Sequence, residues 1–258
     1  MECALIDGVP IHFDDAGNGS ALVFANSLGT DFRVWDPLLP YLPDGWRLLR
    51  YDKRGHGLSG LPDGPWTIAD HAADLAGLMA ARGIAQAVIV GLSVGGLIAQ
   101  HLAAQRPDLV RALVLCGTAA KIGSHAIWDD RIAQIRAGGL GAILDANMER
   151  WFTDSFRADP ARIAPWNAMV TRTPVAGYLR TAEAIRGCDL RHSTARLTLP
   201  ALVVVGEADG STPPELVRDT AALIAGSRFE VIVGAGHIPC VEQPERLGRL
   251  ITGFLQDL

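Results

Sequence analysis

Short apolar runs alternate with longer stretches of helical period along most of this chain. Ala87–Gly91 and Ala201–Gly206 are continuous and rich in valine, the pattern of strands buried on both faces. Ile11–Asp15, Ala21–Asn26, Arg47–Tyr51, Ala112–Cys116 and Glu230–Val233 read as further strands. Between them Ile68–Arg82, Gly95–Gln105, Pro214–Ala225 and Pro244–Gln256 read as helices. This alternation predicts an α/β fold, a mostly parallel sheet flanked by helices on both faces.

From about Lys121 to Arg196 the rhythm breaks. No strong strand is visible there; several helices rich in Trp and Arg are punctuated by Gly138-Gly139, Pro160, Pro165 and Pro174. The expectation is a core made of residues 1–120 and 197–258, with 121–196 inserted as a helical cap. Such a cap would cover the C-terminal edge of the sheet, where open α/β sheets place their ligands.

Composition narrows the picture. The 258 residues suit one α/β unit, and the net charge of −5 lacks the basic stripe that nucleic acid requires. No Lys/Arg cluster reads as a membrane anchor, and no run is long and apolar enough to span a bilayer. The start of the chain, Met1-Glu2-Cys3-Ala4-Leu5-Ile6-Asp7-Gly8, is not a secretory signal, so a cytoplasmic location is expected. Cys3, Cys116, Cys188 and Cys240 have neither Cys-x-x-Cys nor zinc spacing and read as buried free thiols.

The strongest chemical signal is Gly91-Leu92-Ser93-Val94-Gly95, between a predicted strand and a predicted helix. A nucleophilic serine on a strained turn needs small residues two before and two after it, so that strand and helix can approach. The helix N-terminus behind it points free N–H groups at developing negative charge. Ser93 then needs a base, and the base an orienting carboxylate. His237 lies in the Gly-rich loop Val233–Pro239, after the last predicted strand. Asp209 follows the strand ending at Gly206, on a loop from which it could reach the imidazole; Glu207 competes but sits closer to the strand end. Of the other histidines, His12 belongs to an early strand as a surface or packing residue, while His71, His101, His125 and His192 fall on helical faces. A tetrahedral intermediate also needs two N–H donors. Val94 supplies one through its backbone. The other is expected from Leu28, in the loop Asn26-Ser27-Leu28-Gly29-Thr30-Asp31, where Gly29 lets the backbone turn.

These pieces resemble the α/β-hydrolase family over nearly the whole chain. Asp52-Lys53-Arg54-Gly55-His56-Gly57-Leu58-Ser59 is similar to a structural loop of that family, so His56 is not counted as catalytic. Some members carry the acid after the preceding strand, but here that loop, Cys116–Ala120, has no carboxylate. Where many relatives begin the oxyanion loop with His-Gly, this chain has Asn26-Ser27. That opening, with Trp35-Asp36-Pro37, Leu49–Gly57, Trp128-Asp129-Asp130-Arg131-Ile132, Arg150-Trp151-Phe152-Thr153 and Asp209–Pro214, resembles the 3-oxoadipate enol-lactonases of aromatic catabolism.

The resemblance implies a serine hydrolase that opens an anionic enol-lactone through an acyl-enzyme, with no metal or organic cofactor. A substrate carboxylate would need a cation. Arg131 is the candidate, three positions after Trp128, so that both could share one helical face with Trp128 as an apolar wall. A solvated arginine and a cap-core tryptophan are the competing reading. The rival functions are a broad carboxylesterase, a carbon–carbon bond hydrolase of ring-cleavage products and a non-catalytic ligand receptor.

Overall fold

A computed structural model describes residues 2–258. Two strands, β1 (Glu2–Ile6) and β2 (Val9–Ala16), precede β3 (Ala21–Ala25), β4 (Arg47–Tyr51), α1 (Ile68–Ala81), β5 (Ala87–Leu92), α2 (Val94–Gln105) and β6 (Val110–Cys116). Six helices follow: α3 (His125–Gly138), α4 (Leu144–Trp151), α5 (Asp154–Arg157), α6 (Pro160–Thr171), α7 (Val175–Arg186) and α8 (Arg191–Thr194). The chain then returns to β7 (Ala201–Gly206), α9 (Pro214–Leu223), β8 (Arg228–Ile232), α10 (Pro239–Glu242) and α11 (Pro244–Gln256).

The eight strands form one sheet in the order β1-β2-β4-β3-β5-β6-β7-β8. The pairings of β2 with β1 and β4 are antiparallel, and from β4 to β8 every pairing is parallel. All residues of β3, β5 and β7 are buried, as expected for strands covered on both faces. The parallel register stacks Val23, Ile89 and Leu113 in line across the centre, so the ends of β3, β5 and β6 come level at one edge.

The elements outside the sequence expectation include an edge strand, a 3₁₀ helix and the short α10. Strand β1 buries only Ile6 fully and leaves Leu5 exposed, so it shows no apolar alternation to read; its ladder with β2 holds it. A 3₁₀ helix at Phe32–Tyr41 carries Pro37 and Pro40, which remove the N–H groups that an α-helix there would need. The thiols also need one correction: Cys116, Cys188 and Cys240 are buried and free as expected, but Cys3 is exposed, because it lies on that edge strand.

The segment between β6 and β7 contains only helices and turns. It is tied to the sheet end by backbone bonds: Leu190 N–H donates to Ala120 O at 2.8 Å, Gly210 N–H to Arg150 O at 3.1 Å and His237 N–H to Trp151 O at 2.9 Å. No helix among the described residues is long and apolar enough to cross a membrane.

Candidate active site

Strand β5 ends directly in Ser93, whose φ of 57° and ψ of −118° make it one of two non-glycine residues with positive φ among those described. Such a backbone costs about 1–3 kcal/mol and persists only where the surroundings enforce it. Here Ser93 N–H donates to Cys116 O at 3.0 Å, and Thr118 Oγ1 donates to Ser93 O at 2.6 Å. The flanking glycines are steric necessities. A Cβ on Gly95 would lie 1.9 Å from Ala25 O, and one on Gly91 2.5 Å from Gly95 O. Ser93 is also the N-cap of α2, so Val94 opens a helix whose first N–H groups have no intrahelical acceptor.

At the end of β7, Asp209 is buried and heavily ligated. Its Oδ1 accepts from the Ser211 and Thr212 N–H groups, and its Oδ2 from Thr212 Oγ1, each at 2.8 Å. His237 Nδ1 lies 2.9 Å from both carboxylate oxygens. The competitor Glu207 is exposed and meets the Gly234 N–H instead, at 3.4 Å. Ser93, Leu28 and His237 line one cavity of about 280 Å³. Elsewhere, His12 Nδ1 pairs with Asp52 Oδ2 at 2.8 Å, and His71, His101, His125 and His192 stand on α1, α2, α3 and α8.

The loop after β3 is held from beneath. Thr30 N–H donates to Ser27 O at 3.3 Å, and Gly29, with φ of 74°, gives its N–H to His56 Nε2 at 3.1 Å. His56 Nδ1 lies 3.2 Å from Arg54 O, so a neutral ring protonated on Nδ1 satisfies both contacts. Burial, with the nearby charge of Lys53, pushes the His56 pKa well below its usual value, in keeping with that neutral form. With the Gly29 and Thr30 N–H groups engaged, the Leu28 N–H has no acceptor among the described residues, and Leu28 lines the cavity. His56 is thus a brace for this loop, a role its sequence position did not reveal.

Trp128 and Arg131 line the same cavity. Trp128 is buried and donates from Nε1 to Ile122 O at 2.7 Å; the Arg131 guanidinium stands 5.5 Å from its ring centroid. Arg131 also donates to the Tyr178 hydroxyl, from Nη2 at 2.6 Å, and to Asn147 Oδ1. The sequence reading missed Arg150, which lines the same cavity and donates from Nη2 to that Asn147 oxygen at 3.0 Å. Arg136 of α3 and Arg186 of α7 pair with Glu183 and Asp129, but no carboxylate lies within 4.0 Å of Arg131 or Arg150 among the described residues. Burial, and then the like charge of Arg131, lowers the Arg150 pKa from its usual value. Two guanidiniums sharing one neutral amide leave the cavity wall with uncompensated positive charge. No group of three or more His, Cys, Asp or Glu able to hold a metal occurs among the described residues.

A strand–turn–helix serine and a histidine–carboxylate pair at the parallel edge of such a sheet define a hydrolase site of the α/β type. The family model for the alpha/beta hydrolase fold matches residues 20–244, and the chain belongs to that family. It is similar to 3-oxoadipate enol-lactonase 2 of Acinetobacter baylyi, 34% identical over 92% of this chain and 88% of the relative. Enol-lactonase 1 of the same organism is 31% identical over 93% and 90%. Among solved structures, the enol-lactonase from Burkholderia xenovorans LB400 superposes with a TM-score of 0.95, at 37% identity, covering 99% of this chain and all of that one.

Proposed function

We propose that this hydrolase opens the ring of a small anionic enol-lactone, 3-oxoadipate enol-lactone, by nucleophilic catalysis from Ser93 beneath a cap formed by residues 121–196. The observation that carries this reading is the cavity itself, lined both by Ser93 and His237 and by Arg131 and Arg150, two guanidiniums that no carboxylate pairs among the described residues. The relatives named above support the choice of a lactone.

In this mechanism Ser93 Oγ adds to the ring carbonyl while His237 takes its proton. The N–H groups of Leu28 and Val94 hold the resulting oxyanion. Collapse breaks the ring C–O bond, the enol oxygen leaves, and His237 returns the proton to it, giving an acyl-enzyme on Ser93. Water deprotonated by His237 then adds to the acyl carbonyl, and the second collapse frees the acid and restores Ser93. Asp209 fixes the imidazole tautomer and stabilises the imidazolium throughout. Arg131, with Arg150 behind the same amide, binds the carboxylate arm of the substrate, and Trp128 packs against the ring.

A steady-state comparison tests the reading. The enol-lactone is expected to exceed neutral activated esters and ring-cleavage diketones in kcat/KM by at least about tenfold, the smallest preference expected from one charge-assisted bond. A higher kcat/KM on a neutral ester would make the chain a general carboxylesterase, and on a diketone a carbon–carbon bond hydrolase.

A further inference from the structure

The most expensive residue near the site takes no part in that mechanism. Lys53 is 1% exposed, and no carboxylate lies within 4.0 Å of its ammonium among the described residues. Its neighbours' acids are committed elsewhere. Asp52 Oδ1 accepts from the Phe32 N–H at 2.8 Å, and Oδ2 from His12 Nδ1 and the Leu58 N–H; Asp31 chelates Arg33. The Lys53 Nζ is aimed at peptide carbonyls, donating to Ser27 O at 2.5 Å and Thr30 O at 3.2 Å. An apolar side chain of the same length would fill this space without desolvating a charge, so packing alone does not account for a lysine here.

We infer that Lys53 is a positioning residue for the oxyanion hole: its ammonium orients and polarises the Ser27–Leu28 peptide so that the Leu28 N–H meets the developing oxyanion. The inference rests on the proposed role of Leu28. Ser27 C=O and Leu28 N–H belong to one peptide unit, and no peptide among the described residues is cis. In a trans unit the two groups point in opposite directions. A cation fixing the carbonyl on one side therefore fixes the N–H on the other, toward the cavity that Leu28 shares with Ser93. Ser27 O also accepts from Thr30 Oγ1 at 2.9 Å, but of its partners Lys53 alone carries charge, and a charge-assisted bond is about twice as strong as a neutral one. In the transition state the peptide lies between an ammonium and an oxyanion, and a chain of hydrogen bonds so arranged strengthens each link.

The same burial makes the device sensitive to pH. Desolvation pushes the Lys53 pKa down to about 7, against the pull of Asp52 and Asp31. The other titratable groups facing it, His56 of its own loop and His71 of α1, are both held neutral by burial. As the pH rises past neutral the ammonium becomes an amine and the polarisation is lost.

The test is Lys53→Met, which keeps the length and removes the charge. On a neutral activated ester, kcat is expected to fall about ten- to a hundredfold with KM within twofold, since a weakened donor costs less than a deleted one. Inactivation by an organophosphonate, which places an oxyanion in the same hole, is expected to slow by the same factor. The wild-type kcat is expected to decline above neutral pH on a limb that Lys53→Met lacks. An unchanged kcat, or a KM effect alone, overturns the inference. Should Lys53→Met fail to fold, Lys53→Gln, which keeps a donor without a charge, is expected to show the same loss, and a Lys53→Gln kcat equal to wild type overturns the inference. Ser93→Ala separates the two levels. Labelling that persists there removes the proposed nucleophile, whereas labelling lost there beside a wild-type-like Lys53→Met removes only the role of Lys53.

Discussion

Residues that carry local punctuation were legible; residues defined by what they meet in space were not. Ser93 announces itself because its backbone strain forces small neighbours at fixed offsets, and Asp209 and His237 follow strand ends that the apolar runs mark. Arg150 and Lys53 carry no such mark. One is an arginine among many in its segment; the other is a lysine whose burial comes from a loop and helix remote in sequence. Three outcomes belong to this scale. Ser93→Ala is expected to abolish phosphonate labelling and lower kcat by about 10⁴-fold or more, because members of a triad act as a unit. Asp209→Asn is expected to lose about 10⁴ in kcat by leaving His237 in the wrong tautomer, while Glu207→Gln stays near wild type; the reverse ranking would move the acid to Glu207. Arg131→Ala is expected to raise KM for the anionic lactone about ten- to a hundredfold and to leave a neutral ester almost untouched. Equal losses on the two substrates would show Arg131 to be holding Tyr178 and Asn147 in place rather than binding a carboxylate.

Elements were legible in proportion to their burial. The interior strands β5 and β7 show as unbroken apolar runs, and α1 begins at a capping box in which Thr67 and Asp70 bond each other's backbone. Edge strands blur: β8 runs Arg228–Ile232 rather than Glu230–Val233, because Arg228 and Glu230 are exposed and carry no core signal. The contact of α2 with β3 is the tightest packing consequence of the sequence, since Gly95 sits where any side chain meets the Ala25 carbonyl. Gly95→Ala is therefore expected to destabilise the fold by about 1–3 kcal/mol, the cost of forcing an extra methyl into a filled interface. Urea unfolding reads this directly, and a midpoint equal to wild type would mean that α2 slides away at no cost.

At the scale of the whole molecule, buried neutral histidines tie stability to pH. Burial lowers His71 to about 3 and pushes His56 well below its usual value, so both bind protons more readily in the unfolded chain. A histidine with a depressed folded pKa contributes its full stability above the unfolded value near 6.5 and loses it as the pH falls below that. Between about pH 6.5 and 5, above the carboxylate range, the unfolding free energy is expected to drop by up to about 1.4 kcal/mol per pH unit for each of the two. His71→Leu is expected to halve that slope; an unchanged slope would mean that His71 takes up a proton without unfolding the chain.

The backbone bonds from Gly210 to Arg150 and from His237 to Trp151 have a consequence for anyone who would exchange caps between relatives. Glu242 adds to them, its Oε1 accepting from Thr153 Oγ1 at 2.7 Å and its Oε2 from the Gly236 N–H at 2.6 Å. The stretch 150–153 lies in the inserted segment by sequence, yet mechanically it is the outer wall of the loops that carry Asp209 and His237. A transplant cut at 121 and 196 would remove that wall along with the specificity surface. A donor segment would have to return two carbonyls and a hydroxyl at the same stations before its own substrate preference could be expressed. A chimaera that keeps 150–153 native and replaces the helices on either side alters what the cavity selects while leaving the chemistry beneath it assembled.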